Sequence, residues 1–186
     1  MSDPKLPLEA GNFYHIYNRG IDGCDLFRCK SDYKRFLLLY DKYIPLIADT
    51  YAWVLMKNHF HLLVKIKEEN EIGFISSQSP SESTADLQKP LLGSSTTKRV
   101  SPQPSSGSST VEGGLKKKYH PSHQFSHLFN AYAQSLNKRN ERTGSLFEHP
   151  FHRKLITDEY YLRQVILYIH HNPVHHKFCE HPCDYP

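Results

Sequence analysis

Four side chains in two short segments could do chemistry together. In His59-Phe60-His61-Leu62-Leu63-Val64-Lys65-Ile66, the two histidines are separated by one residue. On an extended strand they therefore point to the same face, close enough to ligate a single cation. Imidazole accepts most divalent metals, so the pair alone does not choose among them, and it also suits the polar face of an edge strand. The second segment, Tyr160 to Pro173, reads YYLRQVILYIHHNP. On a helix, Tyr168 and Asn172 stand one turn apart, so a phenol and a carboxamide can reach the same site. Read without the other segment, Tyr168 is equally a half-buried aromatic and Asn172 a helix-ending residue before proline.

These residues need elements to hold them. FYHIYN at 13–18 is aromatic and β-branched and stops at Arg19-Gly20, as a strand does. Ser31 can cap a helix carrying Tyr33, Phe36, Leu37, Tyr40 and Ile44 at helical spacing, with Pro45 as its stop. Residues 47–56 and 59–66 read as two strands joined at Lys57-Asn58, short enough for an antiparallel hairpin. On the second strand Phe60, Leu62, Val64 and Ile66 form a core face opposite His59, His61, Leu63 and Lys65. Phe125, Leu128, Phe129, Tyr132 and Leu136 form a helical apolar stripe, followed by Lys138, Arg139 and Arg142 near the helix end. Residues 145–156 hold a strand broken near Pro150. Thr157 then caps a last helix with a Leu162, Ile166 and Ile169 core stripe, which Pro173 ends. The order βαββ, loop, αβα predicts an α+β fold: an antiparallel sheet with helices packed on it.

The chain has 186 residues, 38% hydrophobic and 23% charged, which fits one domain with an appendage. Its core spans about 11–75 and 119–175. The Ser-rich stretch at 76–118, with no aromatic residue, reads as a disordered insertion because it cannot offset its ordering entropy by burial. Residues 176–186 read as a flexible tail. The late cluster of His175, His176, Cys179, His181 and Cys183 does not follow zinc-finger spacing. No apolar run suits a membrane span, and the first residues do not read as a secretion signal, so a cytoplasmic protein is expected. Four cysteines are too few for a disulfide scaffold, and a net charge of +4 only permits an anionic partner.

MKNHFHLLV at 56–64 together with YIHHNP at 168–173 resembles the single-tyrosine HUH transposases. These comprise the transposases of small insertion sequences and the REP-associated tyrosine transposases. FYHIYNRG near the start and GSLFEHPFHRKLI before the last helix extend the likeness across most of 11–75 and 120–175. Lys57 departs from the pattern, since many relatives have proline there, and the long insertion departs further.

The resemblance implies a ferredoxin-like antiparallel sheet with His59 and His61 on a central strand. It implies Mg²⁺ or Mn²⁺ as cofactor, held by His59, His61 and Asn172, with Tyr168 as nucleophile on single-stranded or hairpin DNA. The product would be a 5′-phosphotyrosine bond and a free 3′-OH. The alternative is a domesticated relative that binds DNA or RNA hairpins without cutting. Some relatives are dimers that exchange the tyrosine helix, so the resemblance leaves monomer and homodimer open. A single strand needs a basic track with stacking surfaces. Arg19, Lys57, Arg153 and Lys154 are the expected contacts, with His152, Lys138, Arg139 and Arg142 as further basic candidates. Tyr14, Tyr17 and Phe151 are the aromatics nearest them in sequence.

Overall fold

A computed structural model describes residues 6–74, 117–148 and 150–185, so nearly all of the expected insertion at 76–118 lies outside the described residues. Among the described residues four strands and three α-helices follow in the order β1 (Phe13–Arg19), α1 (Lys30–Tyr43), β2 (Ala48–Met56), β3 (His59–Ile66), α2 (Pro121–Arg139), β4 (His152–Ile156) and α3 (Glu159–His175). The sheet order is β2-β3-β1-β4, and each neighbouring pair is antiparallel. With α1 and α2 as crossovers, this is the α+β fold that the element order predicted, in the ferredoxin-like arrangement that the resemblance implied. The described parts of Met1–Phe74 and Lys118–Pro186 form one compact unit.

β3 is central and buried on both faces, for two different reasons. Phe60, Leu62, Val64 and Ile66 face α1 and α2 and join Phe36, Phe125, Leu128 and Phe129 in the larger core. Leu63 faces the other way, with Ala52, Val54, Met56 and Ile156, and meets Val165 and Ile169 of α3. Burying Val165 and Ile169 contributes roughly 1.5–3 kcal/mol each, enough to fix how α3 is rotated on the sheet. The larger core excludes water from one face. The other face is only partly covered by α3, and the uncovered part is where the histidines emerge.

Local sequence sets the helix ends, not always at the residues expected. α1 starts at Cys29 rather than Ser31. Asp32 folds back to accept from the backbone N–H of Arg28 (2.9 Å) and Cys29 (3.3 Å), a capping box with its acid at the third helical position. α3 is capped by Asp158, not Thr157; its carboxylate accepts from the Tyr161 N–H at 2.8 Å. Pro173 does not end α3, which continues to His175. So close to the C-terminus, proline removes only the bond to the Ile169 carbonyl, and His176 N–H still bonds the Asn172 carbonyl at 3.0 Å. The buried stripe of α3 is Val165, Ile169 and Asn172, while Leu162 and Ile166 are only partly buried. β4 is the short segment 152–156, not a strand reaching back to 145.

Residues 176–185, expected as a flexible tail, are mostly exposed, but Tyr185 at their end reaches back to the sheet. The Tyr185 hydroxyl donates to the Leu55 carbonyl at 2.8 Å, and its ring lies against the smaller core. No helix among the described residues is long and apolar enough to cross a membrane.

Candidate active site

The antiparallel register brings β1 beside the His-x-His strand. Tyr17 pairs with His61 and Arg19 with His59, and the β2–β3 turn at Lys57-Asn58 holds the end of β3. α3 crosses the same face and carries Tyr168 at the rim, where it is 48% exposed. The Tyr168 ring lies 5.2 Å from the His61 ring, nearly perpendicular to it. A cavity of about 270 Å³ opens between these elements, lined by His59, His61, Tyr168, Arg19, Glu148 and His176.

Both histidines are held as neutral rings. Burial pushes His59 down from 6.5 to about 4, helped by the neighbouring His176 and partly opposed by the nearby Asn172 amide. Burial pushes His61 lower still, with His15 and His59 adding to the effect. A neutral imidazole offers one lone pair, and the neighbours decide which nitrogen keeps it. His59 Nδ1 lies 2.7 Å from the Asn58 amide oxygen, which can only accept, so the proton sits on Nδ1 and Nε2 is bare. His61 Nδ1 lies 2.9 Å from His15 Nε2.

Asn172 is the least expected residue of α3. It is 1% exposed, on the buried stripe where the helix pattern asks for an apolar side chain. Neither amide atom has a hydrogen bond of good geometry among the described residues, although the amide is close enough to His59 to favour its charged form. Leaving such a group unpartnered costs about 1–3 kcal/mol, so it needs an occupant to justify it. The bare His59 nitrogen, the His61 ring and the Asn172 amide oxygen are donors of the kind that could hold a divalent cation. Among the described residues no group of three or more His, Cys, Asp or Glu side chains is placed to hold a metal, so a cation here would rest on the two imidazoles and the amide.

The expected nucleic-acid contacts separate. Arg19 lines the cavity and pairs with Glu148 at 3.4 Å, both side chains remaining substantially exposed. Lys154 lies on the same face, over the Tyr161 ring at 4.8 Å, in an adjoining cavity of about 510 Å³ that also reaches His61 and Tyr168. Lys57, on the hairpin turn, pairs with Asp25 at 3.1 Å and borders a separate aromatic cavity with Trp53 and Tyr33.

Arg153 is not brought to the site. It pairs with Ile16 across the sheet, on the larger-core face, and is 7% exposed. Its Nη1 donates to the Leu6 carbonyl (3.0 Å) and Ser122 Oγ (2.9 Å). Arg139 pairs with Asp32 and ties α2 to α1, while Arg142 bonds Asn137 and the Ser145 carbonyl. Of the aromatics, Tyr14 and Phe151 are core residues. Tyr17 faces the cavity and stacks on His152 at 5.1 Å.

Three residues were not assigned to this site from the sequence. His15 shares the β1 face with Tyr17, but alternation along one strand does not reveal which strand it pairs with. His176, whose ring is 4.8 Å from His59, follows Asn172 by one turn and would have been visible had the helix been carried through Pro173. Glu148 lies in an irregular segment with no periodicity to read.

No family model and no curated protein matches the sequence. Among solved structures, the fold is similar to a REP-associated tyrosine transposase bound to a REP hairpin, with a TM-score of 0.60 and 13% identity over 100% of this chain and 81% of that one. At that identity the likeness is one of fold.

Proposed function

We propose that this chain cleaves and rejoins single-stranded DNA beside hairpins, with Tyr168 as nucleophile and a divalent cation at His59, His61 and Asn172. The observation that carries this reading is the joint placement of Tyr168 and Asn172. One helix sets an accessible phenol beside His61 and, one turn later, buries an unpartnered amide near His59. The hairpin as partner is carried over from the similar fold, which was solved with one bound.

In this reading the Tyr168 oxygen attacks a backbone phosphorus in line. An O–P bond forms to the phenol oxygen as the P–O3′ bond breaks. The phenolic proton passes to solvent, and the departing 3′ oxygen takes one up. Reversal by a different 3′-OH reseals a new junction and frees the phenol. A bound cation would neutralise charge on the non-bridging phosphate oxygens, which helps a nucleophile as weak as a phenol. Imidazole ligands suit Mn²⁺ better than the harder Mg²⁺, which prefers an all-oxygen shell. His59 and His61 present lone pairs without first losing protons at neutral pH. Arg19 and Lys154 flank the phenol from two sides and would hold the strand's phosphates, and the exposed edge of Tyr17 offers a base a surface to stack on.

End-labelled hairpin DNA with a single-stranded flank, incubated with Mn²⁺, tests this. A denaturant-resistant protein–DNA adduct is expected, lost with EDTA, in Tyr168→Phe and in His59→Ala. Hairpin binding without any adduct would instead identify a non-cleaving hairpin-binding protein.

A further inference from the structure

His61 can serve as a ligand only if the proton it shares with His15 is on the right ring. The His15 Nε2 and His61 Nδ1 atoms face each other at 2.9 Å, so one proton lies between them. If His15 holds it, the His61 proton is forced onto Nε2, the nitrogen left for the cavity, and that nitrogen cannot ligate. If His61 holds it on Nδ1, Nε2 is bare. We infer that His15 is a positioning residue: its Nε2 accepts the His61 Nδ1–H and keeps the His61 Nε2 lone pair for the cation. The inference rests on the cation site proposed above.

With its Nε2 accepting from His61, a neutral His15 carries its own proton on Nδ1, which leaves neither of its ring nitrogens free to ligate. The two candidate ligands are then oriented alike. His59 donates from Nδ1 to the Asn58 oxygen at 2.7 Å, and His61 donates from Nδ1 to His15. Both bonds are part of the sheet's own framework: Asn58 sits at the β2–β3 turn and His15 on β1, the strand paired with β3. His61 lies between two cavities, one shared with His59 and Tyr168, the other with His15 and Tyr168. Partners of this kind fix tautomer and ring orientation, and losing one costs metal affinity even though it never touches the ion.

The test uses the full chain and Mn²⁺ alone, with affinity measured by electron paramagnetic resonance, beside nitrogen-15 spectra of the metal-free protein that report the His61 tautomer. The expected tautomer in wild type is Nδ1–H. His15→Phe keeps a ring of similar size but no acceptor, and should weaken Mn²⁺ binding by about 10–100-fold. His15→Gln places an amide oxygen near the same point and should restore affinity to within a few-fold of wild type. A metal-free wild type with His61 protonated on Nε2, or a folded His15→Phe that binds Mn²⁺ as tightly as wild type, would overturn the inference. If wild type bound no Mn²⁺, the cation reading would fail, and the tautomer spectrum would decide the role of His15 by itself. If His15→Phe did not fold, His15→Gln and that spectrum would decide it.

Discussion

Replacing Asn172 with leucine should make the metal-free protein more stable while removing its response to metal. Asn172 is 1% exposed and lies on the Val165/Ile169 stripe, with both amide atoms lacking a well-formed hydrogen bond among the described residues. An unsatisfied buried polar group costs about 1–3 kcal/mol, and Asn172→Leu removes it with the same number of side-chain heavy atoms. Part of that gain is offset, because two methyl groups are bulkier than the amide atoms and the cation-favouring contact with His59 is lost. The expected net change is a gain of about 1–2 kcal/mol, or roughly 2–8 °C in melting temperature for a chain of this size. Urea denaturation of wild type and variant, with and without Mn²⁺, reads both effects. Wild type should gain about 2.7 kcal/mol at a cation concentration 100 times its dissociation constant, and the variant should gain nothing. A metal-free Asn172→Leu destabilised by more than about 1 kcal/mol would refute the reasoning, since the amide would then be engaged in the fold itself.

Acid should weaken the fold in a window set by the buried histidines. His15 and His59 sit at about 4 in the folded protein against an ordinary 6.5, so the unfolded chain binds more protons between those values. Stability is therefore fully present above about pH 6.5 and falls as pH drops toward 4, by about 2 kcal/mol at pH 5 for His15 and less for the more exposed His59. Urea midpoints at pH 7 and pH 5 check this, and an unchanged midpoint would count against it. Arg153→Met should destabilise by about 2–4 kcal/mol by stripping charged hydrogen bonds from the Leu6 carbonyl and Ser122, yet leave hairpin affinity unchanged in a salt titration. Because Tyr168 lies against His61 of its own chain, mixing Tyr168→Phe with His59→Ala should not restore adduct formation. Recovery of adduct in that mixture would mean that the tyrosine helix is exchanged between subunits.

The hairpin of β2 and β3, the helical stripe of α2 and the alternation of His59 and His61 against Phe60 and Leu62 were all legible in the sequence. Each is a local period with a clear apolar face, so tertiary structure had little left to decide. What the sequence hid depends on register and rotation. Arg153 and Lys154 are adjacent in a basic run, but the β1–β4 pairing sends one into the core with Ile16 and the other to the site beside His15. Basic character says nothing about which face of a strand a residue takes. Similarly, α3 contains enough aliphatic residues to support two neighbouring stripes, and only packing against Ala52, Val54 and Leu63 selects Val165 and Ile169. That rotation is what buries Asn172 and leaves Tyr168 at the rim.

Attack on a phosphodiester by one particular phenol, that of Tyr168, is the step on which the proposed function stands. It is tested most directly by digesting the protein after reaction with Mn²⁺ and hairpin DNA, trimming the DNA with nuclease, and mapping the nucleotide remnant by mass spectrometry. A 5′-phosphotyrosine linkage on Tyr168 and on no other tyrosine is expected. A remnant on a different residue, or no covalent remnant under conditions where hairpin and Mn²⁺ are both bound, would contradict it.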